Sequence, residues 1–221
     1  MHNNWFSRFR METAQYLACL KFSEDMEQER VDNLEVEILS DNWFTLNKVN
    51  FDFRRNDGIW ENQSREAYDR GNGAAILLYN LENETLILTR QFRMPTFLNG
   101  NPSGMMIEVC TGLLEMDNAE DCIRRETQEE TGYEISNFEK VFEAYMSPGS
   151  VTEIVHFFIA EYHEEMKIGE GGGVAEEQED IEVLELKFSD ALKMIKSGEI
   201  KDGKSIILLQ HLHLKLLQAN R

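Results

Sequence analysis

The sequence predicts an α/β fold, a mixed α/β sandwich preceded by a small antiparallel β-sheet. Between Leu34 and Tyr68, apolar and polar residues alternate with the period of two that is typical of half-buried strands. Beyond residue 73, strand-like and helix-like segments follow in an irregular order, unlike the regular alternation of a Rossmann repeat. With 221 residues, of which 42% are hydrophobic, the chain can form one core domain of roughly 150 residues plus an appendage.

The N-terminal part divides into an extension, residues 1–33, and a β-subdomain, residues 34–70. The extension is either an extra helix that docks on a partner subunit or a poorly ordered segment, and both interpretations stay open. In the subdomain, the turn Asn56-Asp57-Gly58 separates two extended stretches, so a sheet of about three strands is expected. Because so small a sheet exposes its edges and one face, it is suited to pairing with a second copy.

Residues 71–221 form the larger predicted domain. Its strongest helix signal runs from Asn118 to Thr131, with Asp117 or Asn118 as the N-cap and Gly132 just past the end. The glycine-rich segment 169–173 is expected to be a flexible loop. Six strands are expected, at residues 74–79, 85–90, 106–110, 138–145, 155–162 and 181–186. Two further helices are expected, one capped by Ser189 and ending at Gly198, the other opening at Asp202 or Gly203 and running to about Leu217.

The charge excludes several classes of protein. The formal net charge of −19 repels phosphate backbones, so we expect no nucleic-acid partner, and a phosphate ligand would need metal ions or a basic pocket. The sequence contains no run of about 18 apolar residues, so no membrane span is predicted. Cys19, Cys110 and Cys122 are odd in number and lack metal-ligand spacing, which argues against a disulfide framework or a structural zinc site. The N-terminus lacks the apolar core of a signal peptide, so a cytoplasmic protein is expected.

An acidic cluster on the predicted helix points to chemistry. Glu126 and Glu130 lie four residues apart and so share a helix face, with Glu129 close to the same side. Like charges at this spacing destabilise a helix, whereas a hard divalent cation prefers such oxygen ligands. Arg125, four residues before Glu129, is placed to bridge to it. The alternative is an ordinary solvated acidic face.

This stretch resembles the Nudix box, Gly-x5-Glu-x7-Arg-Glu-U-x-Glu-Glu-x-Gly-U, in which U is apolar. The match runs through the arginine, the three glutamates and the second glycine, and more loosely through the last position: Arg125, Glu126, Glu129, Glu130, Gly132 and Tyr133.

The sequence departs from the box at its beginning. Gly112 lies thirteen residues before Arg125 instead of fourteen, so Thr111 occupies the nominal glycine position. Asp117 replaces the first glutamate, and Thr127 stands where an apolar residue is usual. The departures at Thr111 and Asp117 concern the loop before the helix, and the carboxylates that the resemblance assigns to the metal are all present.

Other segments are similar to one branch of the superfamily, the GDP-mannose hydrolase type of nucleoside-diphosphate-sugar Nudix enzymes. The resemblance covers about residues 34 to 210 and includes residues 40–44, 68–73, 90–93, 146–149, 171–174, 179–185 and 200–204. It implies a Nudix α/β/α sandwich with a mixed sheet at residues 71–221. It also implies a homodimer that exchanges its N-terminal β-subdomains across a shared active site.

The implied reaction is metal-dependent hydrolysis of the diphosphate of a nucleotide sugar, GDP-mannose giving GMP and mannose 1-phosphate. ADP-ribose hydrolases share this plan and are the first alternative. The second is a catalytically silent Nudix nucleotide sensor, although silent domains typically lose a box glutamate and this chain retains all three.

The resemblance implies that Mg²⁺, or alternatively Mn²⁺, is held by Glu126, Glu130 and the backbone carbonyl of Thr111. Glu179 completes the metal site or activates water, and with Glu129 these glutamates make up the implied catalytic set. Compared with the enzymes that it resembles, this chain carries two additional residues in the loop before Glu179. Three neighbouring acids are therefore alternatives: Glu176, Glu177 and Asp180.

The resemblance also implies a set of substrate contacts. They are Trp43 stacking on the base, Arg65 and Glu66 near the nucleotide, Arg93 at the diphosphate, Gly112 and Leu113 at the start of the box, Glu153 on the sugar or metal side and Lys204 near the phosphate end. A guanidinium fork suits paired phosphate oxygens, which supports Arg93. The alternatives are that Trp43 belongs to a core and that Arg93 and Lys204 are ordinary surface charges.

Overall fold

The computed structural model describes residues 30–114, 118–174 and 178–219. The chain divides into two compact units, with the boundary between Asp69 and Arg70. Most of the predicted extension lies outside the described residues, so its role stays a prediction. No helix in the described ranges is long and apolar enough to cross a membrane.

The first unit is a three-stranded antiparallel sheet, as the alternating pattern predicted. Strands β1 (Val31–Asp41), β2 (Thr45–Arg54) and β3 (Trp60–Asp69) follow in sequence order. The apolar side chains of Leu34, Val36 and Ile38 remain exposed within it, since a single small sheet has no second layer to cover them.

The second unit is built on a mixed seven-stranded sheet. Its strands are β4 (Gly73–Asn80), β5 (Thr85–Phe92), β6 (Met105–Glu108), β7 (Cys110–Leu113), β8 (Glu139–Tyr145), β9 (Ile154–Glu161) and β10 (Glu182–Lys187). The main order is β10-β5-β4-β9-β8, with β6 paired to β5 and β7 to β4. The pair β4 and β9 is parallel and the other pairs are antiparallel.

Helices cover both faces of this sheet. They are α1 (Met94–Leu98), α2 (Ala119–Glu126), a π-helix (Thr127–Thr131), a 3-10 helix (Glu164–Met166), α3 (Phe188–Ser197) and α4 (Gly203–Ala219). Leu77 of β4 belongs to a buried cluster with Ala191 of α3 and Leu208 of α4, whereas its neighbour Leu78 belongs to a second cluster with Ile123 of α2. Because successive side chains of a strand point to opposite faces, the unit is a three-layer α/β/α sandwich. The predicted fold class is confirmed.

Cap chemistry predicted the two C-terminal helices only in part. Helix α3 ends at Gly198 as expected, but its N-cap is Lys187 and not Ser189, so the predicted Ser189 cap is wrong. The helix begins at Phe188, directly after β10 ends at Lys187, so Ser189 already lies in its first turn. At the start of α4, Asp202 accepts a 2.8 Å hydrogen bond from the backbone N–H of Ser205, in agreement with the predicted opening of this helix.

Candidate active site

The acidic helix begins at the predicted residue, and its last turn departs from regular α-helical geometry. The side chain of Asn118 caps α2 by accepting 3.0 Å bonds from the backbone N–H groups of Glu120 and Asp121, while the alternative cap Asp117 lies outside the described residues. The helix reaches Thr131 as predicted, and its last turn, from Thr127, is a π-helix. Gly132 ends it with φ of 77°, as predicted for the position after the helix.

Thr127 explains how the box tolerates a polar residue at an apolar position. Its side chain is fully buried, and its hydroxyl donates a 2.6 Å hydrogen bond to the carbonyl of Ile123 one turn earlier. The buried polar group is therefore satisfied. Thr127 is also the first residue of the π-turn that carries Glu129 and Glu130, and such turns are frequent at functional sites.

Glu130 is the most deeply buried carboxylate of the cluster. Its side chain lies under the strand β7, where the backbone N–H of Thr111 donates a 3.2 Å hydrogen bond to Oε2, and the residue is only 2% exposed. Burial raises the pKa of Glu130 to about 8, and the charges of Glu126 and Glu179 add to the rise. A carboxylate in this position needs a cation to be stable as an anion.

Glu126 is the second carboxylate of the pair. Its pKa is raised to about 7, chiefly by burial, with further contributions from the charges of Glu129 and Glu179 and an opposing contribution from Arg125. It lies directly against Gly112, where an added Cβ would come within 2.6 Å of its Oε1 atom. The structure thus places Gly112 as the residue that makes room for Glu126, a contact that its predicted substrate role did not include.

The pair fits a divalent cation. Two partly ionised carboxylates repel each other beside the backbone of Thr111, and oxygen ligands of this kind suit Mg²⁺. Among the residues that the structure describes, no three acidic, histidine or cysteine side chains form a complete metal cluster.

Arg125 organises the exposed side of the cluster. Its Nη1 atom lies 2.9 Å from Oε2 of Glu129, which confirms the predicted bridge, and its Nη2 atom lies 3.0 Å from Oε1 of Glu126. The guanidinium therefore holds two of the three box glutamates. Glu129 is the more accessible of these carboxylates.

The glycine-rich segment, expected to be a flexible loop, contacts the end of the box helix. The backbone N–H of Gly172 donates a 2.9 Å bond to the carbonyl of Glu130, and that of Gly173 donates a 3.1 Å bond to the carbonyl of Glu129. A Cβ on Gly171 would lie 2.5 Å from the Glu130 carbonyl oxygen, so only glycine allows this approach. The segment is thus docked on the end of the π-helix, where it satisfies carbonyls that the helix leaves unpaired.

This docking brings Glu179 to the box. Its Oε2 atom accepts a 3.0 Å hydrogen bond from the backbone N–H of Val174, and its charge acts on both Glu126 and Glu130. Asp180, one of the alternatives, is exposed, whereas Glu179 is half-buried. The other two alternatives, Glu176 and Glu177, lie outside the described residues.

Arg93 and Lys204 share one buried partner that the sequence analysis missed. Nε of Arg93 lies 2.7 Å from Oε2 of Glu108, and Nζ of Lys204 lies 3.7 Å from Oε1 of the same carboxylate and 2.6 Å from Asp202. The alternative of ordinary surface charges is therefore wrong for both. The signal was an acidic residue within the apolar run that continues to Val109.

Glu153 is placed beside the start of the box. Its Oε1 atom lies 3.6 Å from Nε of Arg70, a partner that the sequence analysis also missed. A Cβ on Gly73 would lie 3.3 Å from this oxygen, and Gly73 is paired in register with Leu113 of β7. Glu153 and Leu113 therefore flank the same residue of β4.

The three remaining predicted residues belong to the first unit. Trp43 is 86% exposed there, so its interpretation as a core residue of this unit is wrong. Arg65 donates to the carbonyl of Ser64 at 2.8 Å and to the side chain of Gln63 at 2.9 Å. Glu66 is exposed on β3, in register with Lys48 of β2.

Comparisons with known proteins agree with this geometry. The family model described as NUDIX domain matches residues 69–205, and the one described as GDP-mannose pyrophosphatase NudK N-terminal domain matches residues 30–68. The chain is 57% identical over 182 residues to a GDP-mannose pyrophosphatase of Yersinia enterocolitica, covering 82% of this chain and 94% of that protein. It is 59% identical over 181 residues to the GDP-mannose pyrophosphatase of Pectobacterium atrosepticum, covering 82% of this chain and 93% of that protein.

A solved structure shares the fold. The crystal structure of an ADP compounds hydrolase superposes with a TM-score of 0.65 at 17% sequence identity, covering 87% of this chain and 97% of that one. At this identity the likeness concerns the fold alone. The family model over more than half of the chain and the close relatives show the family: this chain belongs to the Nudix hydrolases.

Proposed function

We propose that this chain hydrolyses the diphosphate bond of a nucleoside diphosphate sugar, with GDP-mannose as substrate and GMP and mannose 1-phosphate as products. The observation that carries the proposal is the pair formed by half-buried Glu126 and buried Glu130, two carboxylates whose raised pKa values call for a cation. The names of the relatives at 57% and 59% identity support the choice of substrate.

In this proposal, Mg²⁺ or alternatively Mn²⁺ is held by Glu126, Glu130 and the backbone carbonyl of Thr111. When bound, such an ion neutralises phosphate charge and promotes the ionisation of water. The need for it also accounts for an acidic protein acting on an anionic substrate, since the chain carries a net charge of −19.

The side chains of this protein supply the remaining steps. Glu179, docked beside the carboxylate pair, accepts a proton from the attacking water. Arg93 and Lys204 stabilise the negative charge that builds on the diphosphate during cleavage. Arg125 holds Glu126 and Glu129 in place, and it thereby limits how far the exposed carboxylate can move.

The other predicted residues bind the two ends of the substrate. Glu153 contacts the sugar side, next to Gly112 and Leu113 at the beginning of the box. Trp43, Arg65 and Glu66 recognise the nucleotide from the N-terminal β-subdomain. The 86% exposure of Trp43 supports this, because a stacking residue must be free to receive a base.

We further propose that the protein is a homodimer that exchanges its N-terminal β-subdomains across a shared active site. The exposed apolar residues Leu34, Val36 and Ile38 of β1 support it, since a surface of this kind in a small sheet favours a second copy. Sedimentation analysis tests this directly, and a monomer at micromolar concentration would contradict it. The subdomain limits 34–70 and 71–221 and the cytoplasmic location stay predictions.

The experiment that tests the function is phosphate-product release from GDP-mannose, GDP-glucose, UDP-glucose and ADP-ribose, each with magnesium and with EDTA. We expect magnesium-dependent cleavage with a preference for GDP-mannose. A preference for ADP-ribose would keep the chemistry and overturn the substrate. Cleavage of none of the four would instead favour the catalytically silent sensor.

A further inference from the structure

We propose that Glu108 is a positioning residue that sets the spacing and orientation of Arg93 and Lys204. The inference rests on the proposed function, in which these two cations act on the diphosphate. It assigns a role to Glu108, a buried acid that lies outside both the acidic helix and the glycine-rich segment.

The carboxylate of Glu108 is shared between the two cations, with one oxygen directed to each. Oε2 lies 2.7 Å from Nε of Arg93, and Oε1 lies 3.7 Å from Nζ of Lys204. The Glu108 side chain is only 6% exposed. An unpaired carboxylate at such a depth is strongly destabilising, so the buried acid holds its two cationic partners beside it.

The three residues come from separate elements of the sandwich. Arg93 follows β5, and Lys204 lies in the first turn of α4. Glu108 ends β6, and the next residue, Val109, donates a 2.8 Å backbone bond to Oγ of Ser205 in α4. The main chain directly after β6 is therefore bonded to a side chain at the start of α4, which holds Glu108 in a fixed position relative to both cations.

The orientation of Arg93 follows from which of its nitrogens is engaged. Nε donates to Glu108, and within the described parts of the chain its two terminal nitrogens make no hydrogen bond. A guanidinium is planar, so fixing Nε aims the terminal nitrogens as a fork. Such a fork matches the paired oxygens of a phosphate.

The net charge of this cluster of four residues decides in which direction KM should change if Glu108 only balances charge. Arg93 and Lys204 contribute two positive charges, and Glu108 and Asp202 contribute two negative charges, so the group is neutral. The change Glu108→Gln keeps the shape and leaves one positive charge in excess. If Glu108 only balanced charge, the variant would bind the anionic substrate more tightly and its KM would fall.

A positioning role predicts the opposite result. We expect Glu108→Gln to lower kcat for GDP-mannose by roughly 10- to 100-fold without lowering KM, because a small misplacement of a charge-stabilising group costs rate. We expect Glu108→Asp, which keeps the charge and shortens the side chain, to lose rate as well. The matched control is Glu143→Gln, which breaks an exposed 3.0 Å pair with Lys140 and should leave kcat and KM unchanged.

A double-mutant cycle asks whether Glu108 acts through its partner. In an Arg93→Ala background, the effect of Glu108→Gln should shrink, because one of the two groups to be positioned is gone, and with Lys204→Ala added it should fall to about 3-fold or less. An undiminished effect in that background would overturn the assignment. So would a variant with wild-type kcat and a lowered KM.

Folding and function are separated within the same experiment. Thermal unfolding of each variant shows whether it folds, and if Glu108→Gln does not, Glu108→Asp carries the test. A wild-type chain that cleaves none of the four substrates fails the proposed function itself. An active wild type with unimpaired Glu108→Gln and Glu108→Asp variants fails only the Glu108 assignment.

Discussion

Gly112 and Glu126 are in direct contact, and the contact leaves no room for a side chain on residue 112. A Cβ there would lie 2.5 Å from the carboxyl carbon of Glu126 and 2.6 Å from its Oε1 atom. Strand β7 and the end of α2 can approach this closely only because the residue is glycine. In the shortened box, Gly112 therefore provides the space that the carboxylate of Glu126 occupies.

Replacing Gly112 by alanine should displace Glu126. We expect a loss of kcat/KM of at least about 10-fold, together with a destabilisation of roughly 1–3 kcal/mol from overpacking. Magnesium-dependent turnover and thermal unfolding measure the two effects. Gly169→Ala is the matched control, since a Cβ there meets nothing within 4 Å, and wild-type turnover by Gly112→Ala would contradict the contact's importance.

Glu130→Gln should abolish turnover, with a fall of at least roughly 100-fold, while the protein stays folded. Without metal, the wild-type carboxylate is buried and its pKa is raised to about 8. The amide keeps the shape of the site and removes the cost of burying a charge. Kinetics and circular dichroism test this, and an unfolded variant would show that Glu130 is structural instead.

The same residue predicts how the stability of the metal-free protein depends on pH. Because the pKa of Glu130 rises from 4.5 in the unfolded chain to about 8 in the folded one, the folded state binds more protons between these values. Its contribution therefore favours folding less as pH rises from 4.5 to about 8. In EDTA, the Tm should fall less steeply over this range in Glu130→Gln than in the wild type, and an equal slope would argue against the raised pKa.

Magnesium should counter that loss. Protons and metal ions compete for the same carboxylates, so added magnesium should raise the Tm more at pH 8 than at pH 6. The pKa values of Glu126 and Glu130, about 7 and about 8, set the pH range over which this competition occurs. Thermal shift measurements test it with the Glu126→Gln variant as the control, and an unchanged shift in that variant would place the ion elsewhere.

Glu179 and Asp180 offer a matched pair of adjacent acids. Glu179 is half-buried and acts electrostatically on the carboxylates of both Glu126 and Glu130, whereas Asp180 is exposed. We expect Glu179→Gln to lower kcat by roughly 100-fold and Asp180→Asn by less than about 3-fold. The reverse order would transfer the assigned role to Asp180.

Much of this molecule follows from local patterns in its sequence. The alternation around Leu34 predicted the first sheet, and the short-range cap at Asn118 predicted the start of α2, because these signals act within a few residues. The spacing of Glu126 and Glu130 placed both on one side of the helix for the same reason. The bridge from Arg125 to Glu129 is another contact of this range, and the structure confirms it.

The tertiary structure decided what joins distant segments. The hydrogen bond from Gly172 to the carbonyl of Glu130 places the glycine-rich segment against the π-helix, and it brings Glu179 to the site. Glu108 joins Arg93 to Lys204 across three elements, although nothing local to any of them reveals the others. Periodicity and caps report on neighbours in the chain, whereas the burial and charge that shape these carboxylates depend on which elements the sandwich brings together.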